Sequence, residues 1–219
     1  MVKIAFFYEY ILLPPRWVVY LEISKYKLPK AENYTYGETP YITMYKIIRD
    51  VGSVVDIGGR FFVDLGCGVG KTVFTAKIMF NLKSIGVDNI STFIQKANRI
   101  KNLLGKLVVS AQDLEFIKAD IEEYLSDQFD KICKERMFIY IPSTAFEEDF
   151  FCRIVEKIVS KAYNCLIVTL SKSIPKSIRQ LALSSNKTLI LLFSRSYYFS
   201  WGRNRVYAYY LFQQAESNR

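Results

Sequence analysis

Three aspartates and a run of closely spaced glycines are the residues of this sequence that are best placed to do chemistry. Asp64 lies in the apolar segment 61–65, and Gly66, Gly68 and Gly70 follow it at alternate positions. An unbroken apolar segment is typical of a strand in a parallel sheet, and glycines after it let the chain turn sharply and let a ligand approach the backbone. The pattern therefore predicts a ligand site at the carboxyl end of this strand.

Two nucleotide-binding motifs share parts of this pattern but differ from it in spacing. A phosphate-binding loop that ended in Gly70-Lys71-Thr72 would need its first glycine where Leu65 stands. A dinucleotide fingerprint that began at Gly66 would need a glycine where Lys71 stands. Alternating glycines behind an acid that suits a cationic amine instead indicate S-adenosylmethionine, and a tight structural turn is the remaining alternative. The cofactor-binding residues predicted in this loop are Asp64, Gly66, Cys67, Gly68 and Gly70.

Two further acids follow at intervals that suit the other parts of this cofactor. Asp88 ends the next apolar segment, 24 residues after Asp64, which is close to the roughly 20-residue offset of an acid that accepts hydrogen bonds from ribose hydroxyls. Asp120 follows the third segment and is predicted to accept a hydrogen bond from the adenine amino group, with Ile121 packed on the ring. Each acid alone could equally cap a helix. Three acids at successive strand ends predict one site along the sheet edge.

The segments around these acids alternate between strand patterns and helix patterns. Apolar runs predict strands, and amphipathic stretches without a breaker predict helices packed on the sheet. The predicted strands are 61–65, 84–88, 114–119, 136–141 and 165–170, and the predicted helices are 71–82, 91–104, 147–162 and 175–183. Lys71 and Thr72 are assigned to the first turn of a helix, without a chemical role. The alternation is typical of βαβ units in a parallel sheet.

The C-terminal part of the chain changes character and predicts a hairpin. Segments 188–199 and 205–212 are rich in β-branched and aromatic residues, and 201–204 separates them. A mostly parallel sheet that closes with a hairpin predicts an α/β fold, namely a Rossmann-like seven-stranded sheet with helices on both faces and one antiparallel strand. Residues 34–219 form the predicted methyltransferase domain, and residues 1–33 a short N-terminal appendage.

Composition limits which chemistry and which binding partners the chain is expected to have. Thirty basic and 21 acidic residues give a net charge of +9, so the surface is expected to contact DNA or RNA, with a lysine-rich solubilising surface as the alternative. The chain has no histidine, the commonest general base and metal ligand, and no metal site is predicted. Its four cysteines lack paired spacing, which favours an intracellular location, cytoplasmic or associated with the nucleus or nucleoid. No segment approaches the ~18 apolar residues of a membrane span.

Four motifs keep one order along the chain and together carry a family resemblance. The first is Tyr36-Gly37-Glu38-Thr39, ahead of the amphipathic segment 41–51, and the second is the glycine loop within 62–70. The third is 141–146, which ends in Ala-Phe, and the fourth combines Ser-Trp at 200–201 with Tyr-Tyr-Leu at 209–211. These motifs resemble those of the non-SET histone lysine methyltransferases known from disruption of telomeric silencing.

The resemblance implies roles for side chains outside the glycine loop. Tyr36, Glu38 and Thr39 belong to the loop that covers the cofactor in that family. Phe146, Trp201 and Tyr209 are implied to line the channel through which a lysine reaches the methyl group, and Ser143 occupies part of the family's Asn-Asn position before the Ala-Phe. The implied catalytic residues are therefore Tyr36, Ser143, Phe146, Trp201 and Tyr209.

The resemblance also implies the substrate, a lysine-bearing protein in chromatin or otherwise associated with nucleic acid. A lysine amine, with a pKa near 10.4 in model peptides, must lose a proton before in-line methyl transfer, and burial beside a sulfonium favours the neutral amine without a dedicated base. A nucleic-acid methyltransferase and an inactive cofactor-binding scaffold remain alternatives. Net charge supports the first of these, but segment 141–144 lacks the Asn or Asp followed by Pro-Pro and an aromatic that is usual in enzymes that methylate DNA amino groups.

Overall fold

A seven-stranded sheet runs through the part of the chain that the structure, a computed structural model, describes: residues 37–105 and 113–213. The strands are β1 (Phe61–Leu65), β2 (Lys83–Asp88), β3 (Leu114–Lys118), β4 (Arg136–Ile141), β5 (Asn164–Leu170), β6 (Lys187–Phe199) and β7 (Gly202–Gln213). The helices are α1 (Tyr41–Gly52), α2 (Lys71–Phe80), α3 (Ser91–Gly105), α4 (Ile121–Asp127), α5 (Glu148–Lys161) and α6 (Lys176–Ser184). The predicted appendage, residues 1–33, lies outside the described residues.

The strand order across the sheet is β3-β2-β1-β4-β5-β7-β6. Strands β1 to β5 pair in parallel, whereas β7 is antiparallel to both of its neighbours, β5 and β6. The predicted Rossmann-like fold, mostly parallel with a closing hairpin, is therefore confirmed.

Side chains that alternate along each strand build two separate cores. In β1, Phe62 points into the core that holds α1, α2 and α3, and Val63 points into the core that holds α4, α5 and α6. The paired residues of β4 follow the same alternation, Phe138 with the first core and Ile139 with the second. All four are fully buried, which contributes roughly 1.5–3 kcal/mol for each side chain. Two buried faces explain why the strands read as continuous apolar runs.

The order of the strands determines where a ligand can bind. From β1 the chain proceeds to β2 and β3 on one side, and then crosses to β4 and β5 on the other. The loops that follow β1 and β4 diverge at this switch point and leave a crevice at the carboxyl ends of the strands. Because β6 runs in the same direction as β5, the β6–β7 turn at Ser200 and Trp201 lies at this same edge.

Two elements differ from the sequence prediction. Helix α4 was not predicted, because its seven residues are too few to show a helical period, and it begins where Asp120 caps it. The hairpin turn is also shorter than 201–204, since β7 begins at Gly202, whose φ of +124° suits a tight turn. Arg203 and Asn204 therefore lie in a strand, where they pair with Tyr198 and Tyr197. None of the helices described combines the length and apolar character needed to cross a membrane.

Candidate active site

A cavity of about 340 Å³ opens at the carboxyl edge of the sheet, at the switch point between β1 and β4. It brings together the ends of four parallel strands and the segment that precedes α1. The predicted cofactor-binding residues that line it are Glu38, Thr39, Asp64, Gly66, Cys67, Gly68, Asp88, Asp120 and Ile121, and Phe146 is the predicted catalytic residue that lines it. Tyr36, predicted for both roles, lies outside the described residues.

The glycine loop after β1 requires a backbone that other residues rarely adopt. Gly66, Gly68 and Gly70 have φ values of +108°, +54° and +85°. Gly70 does not line the cavity, and a Cβ atom there would lie 2.5 Å from the ring of Phe116. The structure thus corrects one assignment. Gly70 precedes α2 as its N-cap and leaves room for a core ring, and it does not line the cavity.

Backbone hydrogen bonds hold this loop against β2. The N–H groups of Gly66 and Cys67 both donate to the carbonyl of Val87, at 2.8 and 3.0 Å. The Cys67 thiol packs where Gly86 has no side chain, since a Cβ atom on Gly86 would lie 2.8 Å from the sulfur. Burial raises the pKa of Cys67 well above its usual value, so this thiol stays protonated and acts as a small apolar wall of the cavity.

Asp64 carries a carboxylate oxygen that no described residue satisfies. The side chain is 1% exposed, and its Oδ2 accepts a hydrogen bond from the Thr72 hydroxyl. Its Oδ1 has no hydrogen-bond partner among the described residues, although it is buried. Burial, reinforced by the negative charge of Asp88, raises the pKa of Asp64 to about 7. An unsatisfied buried acceptor that lines a cavity fits a cationic or hydrogen-bond-donating ligand.

Asp88 is connected directly to the glycine loop. Its Oδ2 accepts the Gly68 N–H at 2.8 Å and its Oδ1 accepts the Ile90 N–H at 2.9 Å. Burial raises the pKa of this carboxyl to about 6, and the two backbone hydrogen bonds oppose the rise. Each oxygen keeps one lone pair for a further donor, which matches the two neighbouring hydroxyls of a ribose.

Asp120 serves as a helix cap and also lines the cavity. Its Oδ1 accepts the Glu122 N–H at 2.7 Å, which satisfies one of the free N–H groups at the start of α4. The helix-capping alternative is therefore correct for this oxygen. Ile121 follows as the first residue of α4, is 8% exposed and also lines the cavity, so an apolar surface lies directly beside the acid.

Segment 37–40 closes the cavity on the side of α2. Glu38 accepts an ion-pair hydrogen bond from Lys71, and the Thr39 hydroxyl is 2.8 Å from that of Tyr140 at the end of β4. The Glu38 N–H donates to the Ser200 hydroxyl at 3.1 Å, and the Ser200 N–H donates to the Glu38 carbonyl at 3.3 Å. Burial raises the pKa of Glu38, and Lys71 opposes that rise. Lys71 and Thr72 lie in the first turn of α2, as predicted, and both also line the cavity.

Trp201 lies at the rim of the cavity and does not form part of its wall. Its ring stacks on Phe199, with 5.0 Å between ring centroids, and covers Gly37 so closely that a Cβ there would lie 2.6 Å from the indole. The side chain is 39% exposed. Trp201 therefore supports segment 37–40 from outside and presents the remaining surface to the solvent.

Tyr209 and Ser143 do not reach the cavity, and the channel position inferred for Tyr209 does not fit its location. Tyr209 is fully buried in the core below α6, and its hydroxyl accepts the Ile174 N–H at 3.0 Å. Ser143 is also fully buried and donates to the carbonyl of Leu170 at 2.6 Å. In each case the polar atom satisfies a backbone group, so both residues stabilise the loops behind the site.

Several cavity residues were not predicted from the sequence. They are Gly37, Val69, Lys71, Thr72, Asn89, Ile90, Phe93, Tyr140, Pro142, Ala145, Glu147, Phe150 and Arg153. Position relative to a strand end was the available signal for Tyr140, which lies one residue before the end of β4. No comparable signal marks Phe150 and Arg153, which reach the cavity because α5 packs against α4 and Arg153 bonds Glu122 at 2.9 Å. Within the described residues, no group of three or more Cys, Asp and Glu side chains could hold a metal ion.

Comparison with known proteins supports the assignment of the fold and of a family. The chain resembles the magnesium protoporphyrin IX methyltransferase of Synechocystis PCC 6803, crystallised with bound SAM, at 12% identity and a TM-score of 0.57, over 81% of this chain and 87% of that one. It resembles a Pyrococcus horikoshii protein provisionally named as an RNA methyltransferase, at 15% identity and a TM-score of 0.58, over 86% and 91%. It also resembles M. capricolum TrmK in complex with S-adenosyl-homocysteine, at 13% identity and a TM-score of 0.54, over 79% of this chain and 71% of that one.

At these identities the structural neighbours establish the fold alone. No curated protein matches the sequence significantly. The family described as "Histone methylation protein DOT1", however, matches residues 19–212, which is most of the chain and includes all four motifs. With the fold of a methyltransferase and this match along its length, the chain belongs to the DOT1 family of histone methylation proteins.

Proposed function

We propose that this protein is an S-adenosylmethionine-dependent methyltransferase that transfers a methyl group to a lysine amine of another protein. The observation that carries the proposal is the single cavity in which the acids at the ends of β1, β2 and β3 lie beside Phe146 from the loop after β4. The match to the DOT1 family supports lysine as the acceptor. The fold supports methyl transfer in general.

The donor groups of the cofactor suit the acceptors that this cavity offers. Asp64, with its unsatisfied Oδ1, takes the cationic methionine end together with Glu38 and Thr39. Asp88 takes the ribose hydroxyls, and the apolar side of Ile121 takes the adenine ring. A cationic ligand stabilises the ionised form of these two buried carboxyls, whose pKa values are raised in its absence.

The chain's own residues then prepare the acceptor amine. When bound, S-adenosylmethionine supplies an electrophilic methyl group on a positively charged sulfur. Phe146 and Phe150, whose rings meet edge to face at 5.1 Å, line the cavity beside Gly66 and exclude water from the approach to this group. An apolar wall disfavours an ammonium and so lowers the pKa of an entering lysine. Alignment and desolvation are the contributions required, and neither needs histidine.

A nucleic-acid methyltransferase is the second candidate. The net charge of +9 favours it, and so does the likeness to a protein provisionally named as an RNA methyltransferase. The loop after β4 argues for lysine instead, since Pro142 and Ser143 stand where DNA amino-methylating enzymes usually present Asn or Asp before Pro-Pro, and Ser143 is turned into the core.

Tritium-labelled cofactor distinguishes the candidates. The purified chain is incubated with label and with either total protein or total nucleic acid, and mass mapping identifies the modified residue. We expect label in lysine side chains of protein. Label in nucleic acid instead would support the second candidate, and cofactor binding without transfer to either pool would support an inactive scaffold.

Two pairs of variants locate the cofactor and acceptor regions. Asp88→Asn is expected to weaken cofactor binding at least tenfold by calorimetry, because it removes a charged acceptor worth about 1.5–3 kcal/mol, whereas Asp127→Asn, an exposed acid on α4, leaves binding unchanged. Trp201→Ala is expected to slow methyl transfer, and Trp201→Phe to retain most of it. If Trp201→Ala transferred methyl groups at the wild-type rate with cofactor binding intact, the packing of Trp201 on segment 37–40 would have no part in methyl transfer.

A further inference from the structure

The tip of the β6–β7 hairpin carries a basic and aromatic face. Tyr198 pairs with Arg203 across the two strands, and Ser196 pairs with Arg205, so these four side chains share one side of the hairpin. The adjacent Tyr197 and Phe199 are buried on the opposite side, which leaves the Tyr198 ring 73% exposed.

The two arginines of this face are exposed, and no described Asp or Glu forms a salt bridge with them. Within the part of the chain that the structure describes, neither Arg203 nor Arg205 forms a salt bridge, in contrast to Arg195 on the same hairpin, which pairs with Asp50 at 3.1 Å. The face therefore keeps two positive charges that no acid among residues 37–105 and 113–213 pairs with.

We propose that this hairpin face, formed by Tyr198, Arg203 and Arg205, binds a single strand of nucleic acid, with phosphates on the arginines and a base stacked on the tyrosine. Arg203 and Arg205 are two residues apart on one strand, so their Cα atoms are separated by roughly 6.8 Å. A nucleic-acid strand carries one charge for about every 3.4 Å of its axis. The two arginines can therefore contact two phosphates that are one or two nucleotides apart.

The exposed ring favours nucleic acid over an acidic peptide as the occupant. Single-stranded binders combine a basic track with aromatic side chains that stack on bases, and any base presents a suitable face. An acidic peptide would use the arginines but would have no need of the ring. The net charge of +9 adds a long-range attraction for the same class of polyanion.

The turn of the same hairpin contacts the segment that lines the cavity. Trp201, at the turn between the two strands, covers Gly37, and Ser200 holds Glu38, whose side chain lines the cavity. Tyr198 and Arg203 are each two residues along the chain from one of these contact residues, on the other side of the hairpin. The inference goes beyond the proposed function and does not depend on it, because binding is measured without methyl transfer.

Fluorescence anisotropy with labelled 12-nucleotide single-stranded DNA and RNA tests the proposal on the full chain, at roughly 50 and 200 mM salt. Arg203→Gln and Arg205→Gln are each expected to reduce the slope of log affinity against log salt by about 0.7. Tyr198→Ala is expected to raise Kd about 5- to 150-fold with the slope unchanged, and Tyr198→Phe to retain binding. Lys134→Gln, an equal loss of charge at the opposite edge of the sheet, is the matched control.

Three results would overturn the proposal. The first is binding that Lys134→Gln weakens as much as Arg203→Gln does, since only net charge would then matter. The second is competition by poly-glutamate as effective as that by the oligonucleotide, which would assign the face to an acidic protein. The third is an absence of binding at the lower salt concentration. Thermal unfolding of each variant confirms that the compared proteins are folded.

Discussion

Replacing Asp64 by asparagine tests the central electrostatic feature of the cavity, a buried carboxyl that folding makes harder to ionise. Its pKa rises from 3.8 in the unfolded chain to about 7 in the folded protein. Between these values the folded chain keeps a proton that the unfolded chain has lost. The free energy of unfolding of the wild type therefore falls as pH rises from about 4 to about 7, and this fall ends above the folded pKa.

The size of the effect follows from the shift. A difference of roughly three units, at about 1.4 kcal/mol per unit, corresponds to about 4 kcal/mol. Asparagine cannot ionise, so the free energy of unfolding of the variant does not include this fall. The free energy of unfolding of Asp64→Asn, relative to wild type, should thus improve by about 4 kcal/mol between pH 4 and pH 8. Constant effects, such as a weaker hydrogen bond from Thr72, cancel in this difference.

Urea unfolding followed by circular dichroism at one-unit steps from pH 4 to pH 8 measures the difference directly. Asp127→Asn, which removes an exposed acid, should follow the wild type at all values. Parallel curves of unfolding free energy against pH for Asp64→Asn and wild type would show that folding does not raise the pKa of this carboxyl. The interpretation of Asp64 as an unsatisfied acceptor for a cationic ligand would then be refuted.

Three other outcomes are expected from the same structure. Gly70→Ala should cost about 2–4 kcal/mol in unfolding experiments, because it adds a clash with a core ring to an unfavourable φ, whereas Gly59→Ala, at a φ of +68° with open space, should cost only about 1–2. Tyr209→Phe should cost about 1–3 kcal/mol by leaving the Ile174 N–H unsatisfied, and should not change methyl transfer. Calorimetry in buffers of different ionisation enthalpy should detect proton release from Asp64 and Asp88 when cofactor binds near pH 6, so that the observed heat changes with the buffer; an observed heat that is the same in all buffers would contradict it.

Local patterns were sufficient to predict the sheet. Strands buried on both faces must be apolar throughout, so β1, β4 and β5 could be recognised within one or two residues of their bounds. The glycines at 66, 68 and 70 stand where the backbone has positive φ, a requirement that is visible in the residue type itself. Helix α4 escaped because seven residues are too few for a period.

Local patterns could not separate an aromatic residue that lines a cavity from one that fills a core. Tyr209 and Trp201 both belong to hairpin motifs of the family resemblance, yet one is fully buried and the other is 39% exposed at the rim. The difference arises because Tyr209 lies in β7 in the core that α6 covers, whereas Trp201 lies in the turn before β7 and packs on segment 37–40. Neither contact can be inferred from the strand's own residues.

The sequence by itself determined which strands form the sheet, where the chain turns on glycines, and that acids stand at the ends of β1, β2 and after β3, since each of these depends on residues close together in the chain. Tertiary structure alone decided that Lys71 holds Glu38 across 33 residues and that Thr39 meets Tyr140 across 101. It also left one oxygen of Asp64 without a partner in the described chain. Such contacts depend on strand register and on which element covers which face, and these are set only when the whole core packs.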